Sequence, residues 1–467
     1  MYLLNKYLWL LGASILVVTM NGGNLIDGDT FWAIKTGEWI SNNGIPKTDP
    51  FSWTVFGVPW VAHEWFFDLL IYKFYAAFDY YGVALFVLIS TFLLMYFLWK
   101  LYGTENKNIV QTVILMFIVI FMFKPGIVAR PQIFGYLFFV YFFYVLYHKK
   151  DLLWTLPFIT VIWANMHGSV VLGIAMVFLQ LVYDTVSKSV TNKIFNLDAK
   201  LLFVSILVPL FSLFNPYGTK LWAASYLLIT NEMNMQIVEW QPPDLGNPFW
   251  LFVYVTIIII TVIISLNRKS ITDNYNFYLL SFYLMGTFYK AITGLRYLPY
   301  LAICWGLFVL KLLPDGLYSE KKWLDKKIIR LLALLMIIFI SFSLKSLPAS
   351  FEDAVDKSVW PVEAINYLES RRTYNDYYWG SFLIFNNIPV FIDSRADIYW
   401  KDSDVFKDSL DLVRFKKDPV YILDKYEIEQ VIIPNNDSLD MFLKRIGWIE
   451  KYRDETAVIY LKDKLPQ

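Results

Sequence analysis

Long apolar stretches separated by short polar segments dominate the first three quarters of the chain. A helix that crosses a bilayer needs about 20 largely apolar residues, and the pattern predicts eleven such helices. Their centres lie near Ile15, Thr91, Phe117, Tyr141, Ile159, Met176, Leu207, Ile257, Phe282, Trp305 and Met336. The first has a single lysine before it and no small-residue cleavage site, so we interpret it as an uncleaved signal anchor.

The pattern changes at about residue 347, beyond which no long apolar run occurs. Short apolar segments bounded by polar residues predict a small α/β domain there. The predicted strands are Ser381–Phe385, Val390–Asp393, Glu429–Ile433 and Ala457–Leu461. The predicted helical stretches lie near Phe406–Phe415 and Leu439–Arg445.

The composition agrees with a membrane protein that carries a polar tail. Hydrophobic residues make up 57% of the 467 positions and charged residues only 17%, against about 25% in typical soluble domains. This excludes a disordered chain, a collagen and a disulfide scaffold. The overall charge of +1 combines a net −6 in 347–467 with a net +7 in 1–346. No basic stripe suggests a nucleic-acid partner.

Loop charges predict the orientation, because cytoplasmic loops carry the excess of Lys and Arg. With the N-terminus inside, the inside flanks hold 16 basic residues and the outside flanks 9. The predicted fold class is an α-helical polytopic membrane protein of about 11 transmembrane helices with a small C-terminal extracytoplasmic α/β domain. The predicted domains are 1–346, with long outside loops 22–80 and 215–248, and 347–467.

The first outside loop has its own predicted structure. Apolar residues at helical spacing predict a short helix after Asp29, which Asn42-Asn43-Gly44 would end. A second, amphipathic helix is predicted from near His63, lying on the outer leaflet.

The uncommon polar and ionisable residues gather on this outer side. Such residues in or beside a membrane are costly and usually functional. The candidates, including one indole beside a carboxylate, are Asp27, Asp29, His63, Glu64, Arg130, Gln132, Asn165, His167, Asn215, Glu239, Trp240 and Arg296.

Most candidates have a structural interpretation beside the functional one. Asp27 and Asp29 either cap a helix, or supply a general base or the ligands of a divalent metal. Arg130 and Arg296 either extend their side chains to the membrane–water interface or bind a phosphate. A guanidinium is well shaped for two hydrogen bonds to a phosphate.

Several other candidates are open in the same way. His63-Glu64 begins a helix or orients a phosphate or metal, and His167 and Asn215 close turns or line the site. In the tail, a polar loop at a predicted strand end either binds a sugar or polymer or merely closes a turn. Its candidate residues are Asp393, Arg395 and Asp397.

Several short motifs together resemble a group of bacterial multipass proteins that are similar to the GT-C superfamily of integral-membrane glycosyltransferases. The resemblance covers most of the chain. It is carried by Asp29–Trp32, Thr36–Ile40, Gly44–Pro46, Thr48–Ser52, Gly57–Trp60, His63–Trp65, Arg130–Gln132, Asn165–Gly168, Asn215–Gly218, Glu239–Trp240, Arg296, Asn375–Asp376, Trp379–Gly380 and Asp393–Asp397.

The resemblance implies a GT-C-like fold and transfer, with inversion, of a sugar from a polyprenyl-phosphate donor. It implies an acidic catalytic residue just after the first span, which maps best to Asp29 and second to Asp27. The cofactor is unknown, with Mg²⁺ or Mn²⁺ as candidates. Where the group often has Trp-Trp-His, this chain has Phe31-Trp32-Ala33. Either His63 or His167 replaces that histidine, or the activity is altered.

The resulting hypothesis is an enzyme of the bacterial cytoplasmic membrane that glycosylates an extracytoplasmic glycan, lipid or protein. Asp29 is the expected base. Arg130, Arg296 and Gln132 are expected at the donor phosphate. His63, Glu64, His167 and Glu239 are expected at the acceptor or a metal, with Asn165, Asn215 and Trp240 at the substrate. An envelope polysaccharide polymerase or ligase, a transporter or flippase, and a non-enzymatic scaffold are the alternatives.

Overall fold

The computed structural model describes residues 2–20, 25–105, 109–123, 126–193, 195–230, 237–266, 274–313, most of 330–341 apart from 332, 333, 336 and 339, 347–400 and 403–463. These residues group into two compact units. The helical unit is Met1–Leu25 with Ala84–Leu347, and the mixed unit is Ile26–Val83 with Pro348–Gln467. The predicted first outside loop is thus part of the same compact unit as the tail, and the division at 346/347 stays a prediction.

Helices make up most of the first 313 residues. They are α1 (Tyr2–Met20), α2 (Gly28–Asn43), α3 (Trp65–Glu105), α4 (Ile109–Phe123), α5 (Gln132–His148), α6 (Thr155–Met166), α7 (Val170–Asn192), α8 (Ala199–Phe211), α9 (Lys220–Thr230), α10 (Pro248–Leu266), α11 (Asn274–Thr293) and α12 (Leu298–Leu312). Two short 3₁₀ turns, Val238–Trp240 and Leu295–Tyr297, precede α10 and α12.

The core of the helical unit is α12, which is buried at every position. The Trp305 indole donates a 2.9 Å hydrogen bond to the Thr261 hydroxyl on α10. The Tyr102 hydroxyl donates to the Ile303 carbonyl at 3.0 Å. A Cβ at Gly306 would lie 2.3 Å from that hydroxyl, so glycine permits the close approach of α3 and α12.

Ten of the eleven predicted span centres lie in helices, and Met336 lies outside the described residues. Within the described chain, however, three helical stretches are long and apolar enough to cross a membrane: Trp65–Glu105, Val170–Thr191 and Leu295–Leu312. Six further stretches are shorter apolar helices of 10–17 residues. The count of eleven spans is therefore not confirmed. The predicted outside loop 215–248 also contains a helix, α9.

The mixed unit contains one four-stranded sheet with strand order β1-β2-β4-β3. Its strands are β1 (Thr373–Asn375), β2 (Gln430–Pro434), β3 (Ile449–Arg453) and β4 (Ala457–Leu461). β1 pairs parallel with β2, whereas β4 pairs antiparallel with both β2 and β3. Its helices after residue 347 are α13 (Phe351–Ala354), α14 (Gly380–Phe385), α15 (Ala396–Trp400), α16 (Val405–Val413), α17 (Pro419–Lys425) and α18 (Ser438–Arg445).

Several tail predictions are confirmed and two are wrong. Strands at 429–433 and 457–461 and helices near 406–415 and 439–445 are present. The predicted strand Ser381–Phe385 is helix α14. The prediction failed because a short, mostly buried apolar run does not distinguish helix from strand. The predicted strand Val390–Asp393 forms only an isolated bridge, between Val390 and Ser52.

The segment between α2 and α3 packs on the tail within the mixed unit. The Trp53 indole donates to the Thr373 carbonyl at 3.1 Å, and the Thr54 hydroxyl donates to the Phe391 carbonyl at 2.6 Å. Phe31 of α2 lies among the rings of Phe351, Trp360, Phe382 and Phe385. The start of α2, which carries Asp27 and Asp29, is fixed by this aromatic core.

Candidate active site

Asp27 is the N-cap residue of α2. Its Oδ1 accepts hydrogen bonds from the Thr30 amide at 3.1 Å and the Thr30 hydroxyl at 3.0 Å. The Asp27 amide in turn donates to the Thr30 hydroxyl, which completes a capping box. The structural interpretation of Asp27 therefore accounts for its position.

Asp29 lies in the first turn of α2, where the helix dipole favours a negative charge. Its Oδ1 accepts a 3.2 Å hydrogen bond from the Trp32 indole and a 2.6 Å hydrogen bond from the Ser394 hydroxyl. The Ser394 hydroxyl also contacts the Ser381 hydroxyl at 2.9 Å. Asp29 is thus a half-buried carboxylate whose orientation is set by groups from α2 and the tail.

Tyr377 lies in the acidic surroundings of Asp29. Burial, followed by the negative charges of Asp29, Asp393 and Asp397, raises the pKa of the Tyr377 phenol. The phenol therefore stays protonated at neutral pH and is available as a hydrogen-bond donor beside these carboxylates. Burial likewise raises the pKa of the preceding carboxyl, Asp376, to about 6.

Arg395 fixes the tail loop that carries Ser394. Its Nε and Nη2 donate to the two carboxylate oxygens of Asp393 at 2.9 and 2.7 Å, and its Nη1 donates to Asp49 at 2.6 Å. Its guanidinium carbon lies 4.7 Å from the centre of the Trp60 ring. All three side chains that form the ion pairs are nearly fully buried. These contacts connect the 393–397 loop to the 48–52 segment.

His63 lies in a second group of charges in the mixed unit. Its Nε2 is 3.4 Å from Glu64 Oε1, and its Nδ1 is 3.3 Å from the Val61 carbonyl. Burial lowers the pKa of His63, but the carboxylates of Glu64 and Asp397 outweigh it and raise the pKa to about 9. This pKa keeps the His63 imidazole protonated and positively charged at neutral pH.

Asp68, on the first turn of α3, is fully buried near this group. Neither of its carboxylate oxygens has a hydrogen-bond partner among the described residues. No local sequence pattern distinguishes Asp68, because it lies within an amphipathic helical stretch.

The helical unit has its own charged group, formed by Arg130, Glu239 and Arg296. Arg130 Nη1 is 2.9 Å from Glu239 Oε2, and Arg296 Nη1 is 3.9 Å from Glu239 Oε1. The Arg296 guanidinium also lies over the Trp240 ring at 3.9 Å. Two guanidinium groups thus converge on one partly exposed carboxylate, as they would on one phosphate.

Two other helical-unit candidates, Asn165 and Asn215, have internal partners, whereas Gln132 Oε1 is buried and accepts no hydrogen bond from a described residue. The Asn165 amide donates to the carbonyls of Val161 and Phe214 at 2.7 and 2.9 Å, and Asn215 closes the turn to Tyr217. The contact of Asn215 fits its interpretation as a turn residue, and the roles of all three residues in substrate or phosphate binding stay predictions.

His167 connects α6 and α7. Its Nδ1 accepts a 3.2 Å hydrogen bond from the Ser169 amide and lies 2.6 Å from the Ser169 hydroxyl. The expected role at the acceptor or a metal stays a prediction. No group of three or more His, Cys, Asp or Glu side chains arranged to hold a metal occurs in the part of the chain that the structure describes. A role for Mg²⁺ or Mn²⁺ stays a prediction, and no step below uses a metal.

Four further residues are brought into the candidate site by the fold: Ser394, Tyr377, Asp49 and Tyr399. Tyr399 donates its hydroxyl to Asp393. Ser394 and Asp49 lie inside the motifs 393–397 and 48–52, so these two motifs are the sequence signal that points to both residues. What the sequence does not reveal is that these two motifs, about 350 residues apart, are joined through Arg395.

No protein-family model matches the chain, and no curated protein matches its sequence. Solved structures do match. The apo structure of the oligosaccharyltransferase of Archaeoglobus fulgidus aligns with a TM-score of 0.57 and 10% identity, covering 92% of this chain and 69% of that chain. The same enzyme tethered to an acceptor peptide aligns at 0.55 and 9% identity, covering 91% and 69%.

A third structure is that of the archaeal oligosaccharyltransferase AglB from Archaeoglobus fulgidus with an inhibitory peptide and a dolichol-phosphate. It aligns with a TM-score of 0.51 and 10% identity, covering 92% of this chain and 69% of that chain. At identities this low, the structural likeness shows a shared fold alone. That shared fold supports the GT-C-like fold that the sequence resemblance implied.

Proposed function

We propose that the protein is a membrane glycosyltransferase that moves a sugar from a polyprenyl-phosphate donor to an extracytoplasmic acceptor. The observation that carries this proposal is the fold shared with the archaeal oligosaccharyltransferase over 92% of the chain. One of those structures holds a dolichol-phosphate, a lipid phosphate of the proposed donor class. We place the protein in the bacterial cytoplasmic membrane, with the N-terminus inside and the tail outside.

Arg130 and Arg296 are the proposed phosphate-binding residues. Both contact the carboxylate of Glu239, and a donor phosphate has the same charge sign and the same acceptor oxygens. In this proposal Glu239 holds the two arginines in position until the phosphate replaces it. A sugar phosphate is already activated, so the arginines stabilise the negative charge that develops on the departing phosphate.

Asp29 is the proposed general base. The acceptor oxygen attacks the anomeric carbon, and its proton passes to the Asp29 carboxylate. The bond between that carbon and the phosphate oxygen breaks, and its electron pair stays on the phosphate. Attack opposite to the leaving group inverts the anomeric centre. The hydrogen bonds from Trp32 and Ser394 orient the Asp29 carboxylate for this proton transfer.

The test is a transfer assay with the purified full chain in nanodiscs and a panel of polyprenyl-phosphate sugars. We expect transfer by the wild type and its loss in Asp29→Asn, with donor binding retained. Asp27→Asn is the matched control, because asparagine caps a helix as well as aspartate does. Unchanged transfer in Asp29→Asn would refute the role of Asp29.

The same panel separates the alternatives. Transfer only from a preassembled lipid-linked glycan would indicate a polymerase or ligase. Movement of the donor across the bilayer without transfer would indicate a flippase, and no binding to any donor would favour a scaffold.

A further inference from the structure

A cleft of about 280 Å³ opens in the mixed unit between the C-terminal half of α2 and the turn that follows α14. It lies at the opposite end of α2 from Asp29. Ten residues separate Asp29 from Trp39, which corresponds to about 15 Å along a helix axis. The cleft is therefore distinct from the carboxylate site described above.

Two aromatic side chains form the apolar part of this cleft. The rings of Trp39 and Phe51 lie 6.0 Å apart and are inclined by 76°. Both side chains are half-buried, so each leaves part of its ring facing the cleft. Ring faces of this kind pack against the C–H face of a small ligand.

Amide groups form the polar part. Asn42, Asn43 and Asn387 line the cleft and are exposed. Each amide offers both a donor and an acceptor, which is the pairing that a vicinal hydroxyl group requires. Asn387 adopts a left-handed backbone conformation (φ 62°), which sets the direction of its side chain.

The charges in the cleft cancel. Lys35 Nζ contacts Glu38 Oε2 at 2.5 Å and also donates to the Asn387 side chain. A cleft with one balanced ion pair gives no attraction for a phosphate or another anion. Its size is close to the lower end of ligand sites, about 300 Å³. A small, uncharged, hydroxyl-rich ligand with one apolar face satisfies these features together.

We propose that this cleft binds a neutral sugar unit of a glycan. Binding itself does not require the proposed transferase activity. Its use as a subsite for the glycan of the donor or acceptor rests on the proposed function. In that case α2 connects two sites, with the reacting carboxylate near its start and a distal sugar near its end.

The test is calorimetric titration of the full chain in nanodiscs with neutral di- and trisaccharides of glucose, mannose and N-acetylglucosamine. We expect binding of at least one sugar and a rise in its Kd of about tenfold in Trp39→Ala. Asn42→Ala removes an exposed amide without disturbing the fold and should also weaken binding. Tyr421→Ala, an exposed aromatic in α17 of the same unit, is the matched control.

The outcomes separate this proposal from the transferase proposal. Sugar binding that depends on Trp39 and persists in Asp29→Asn supports the cleft even if no transfer is found. No binding of any panel sugar, or equal binding by wild type, Trp39→Ala and Asn42→Ala, overturns it.

Discussion

The hydroxyl of Ser394 donates a 2.6 Å hydrogen bond to the carboxylate of Asp29, although 365 residues separate the two in the sequence. The tail thereby reaches the residue that we propose as the base. Ser394 belongs to a loop that Arg395 holds in place through Asp393 and Asp49. The tail is therefore a component of the candidate active site and not only an appended domain.

Ser394→Ala should lower kcat about tenfold or more and leave KM unchanged. A hydrogen bond to a charged group contributes about 1.5–3 kcal/mol, and each 1.4 kcal/mol corresponds to a factor of ten. Ser394→Thr keeps the hydroxyl and should retain most activity. Ser403→Ala, which removes a hydroxyl bonded to the backbone of α15, is the control. Full activity in Ser394→Ala would show that Asp29 needs no support from the tail.

Arg296→Ala should raise the Kd for a polyprenyl-phosphate sugar about 10–100-fold, because it removes one of two guanidinium groups proposed at the phosphate. Lys290→Ala removes an exposed positive charge six residues away and should have little effect. Binding is measured by titration in nanodiscs. Equal losses of donor affinity in Arg296→Ala and Lys290→Ala would indicate a general charge effect instead of a phosphate site.

Sequence reasoning succeeds where a local pattern decides the structure. The helix after Asp29 and its end at Asn43 follow from apolar spacing and from Gly44, whose φ is 81°. Strands β2 and β4 also follow from short apolar runs. It fails at Ser381–Phe385, where a mostly buried run of five residues has no periodicity that separates helix from strand.

The sequence predicts several residues of the candidate site but not the residues that they contact. Asp29, Arg130, Glu239 and Arg296 are recognisable as costly polar residues in apolar surroundings. Their partners depend on long-range contacts. Glu239, for example, contacts Arg130 across 109 residues, and no local pattern specifies such a pair.

Arg395→Met should destabilise the mixed unit by about 3–5 kcal/mol. Removing one partner of a buried ion pair leaves an uncompensated charge in the interior. Here the carboxylates of Asp393 and Asp49 would both lose the positive charge that pairs with them. Arg372→Met, which breaks the exposed contact with Glu427, should cost less than about 1 kcal/mol. Thermal unfolding in detergent, followed by tryptophan fluorescence, measures both. Similar midpoints for the two variants would contradict the proposed role of Arg395.

His63 should make stability depend on pH between about 6.5 and 9. Its folded pKa of about 9 exceeds the ordinary 6.5, so the imidazolium stabilises the folded state fully below 6.5. This contribution, about 3 kcal/mol, is lost as the pH rises through 9. The groups that determine it are Glu64 and Asp397. His63→Gln should be less stable than wild type at pH 6 and similar above pH 9.5, as measured by unfolding midpoints. If the unfolding midpoints of wild type and His63→Gln changed with pH in parallel, this contribution of His63 would be excluded.

Gly37 permits the close crossing of α2 and α3. A Cβ at Gly37 would lie 2.0 Å from the Asp68 carbonyl oxygen and 2.5 Å from the Tyr72 Cβ. Because both are fixed by the backbone of α3, the two helices must separate to admit a methyl group. Gly37→Ala should therefore destabilise the mixed unit by about 3 kcal/mol.

Gly28→Ala is the control for Gly37→Ala. A Cβ at Gly28 would meet only the Trp360 ring at 3.5 Å, an ordinary contact distance, and alanine favours the helix. Because the crossing lies on the helix that carries Asp29, Gly37→Ala should also reduce transfer, whereas Gly28→Ala should be stable. Unfolding midpoints and transfer rates measured on the same preparations test both expectations. A Gly37→Ala protein as stable as wild type would mean that the helices pack less closely than the structure describes.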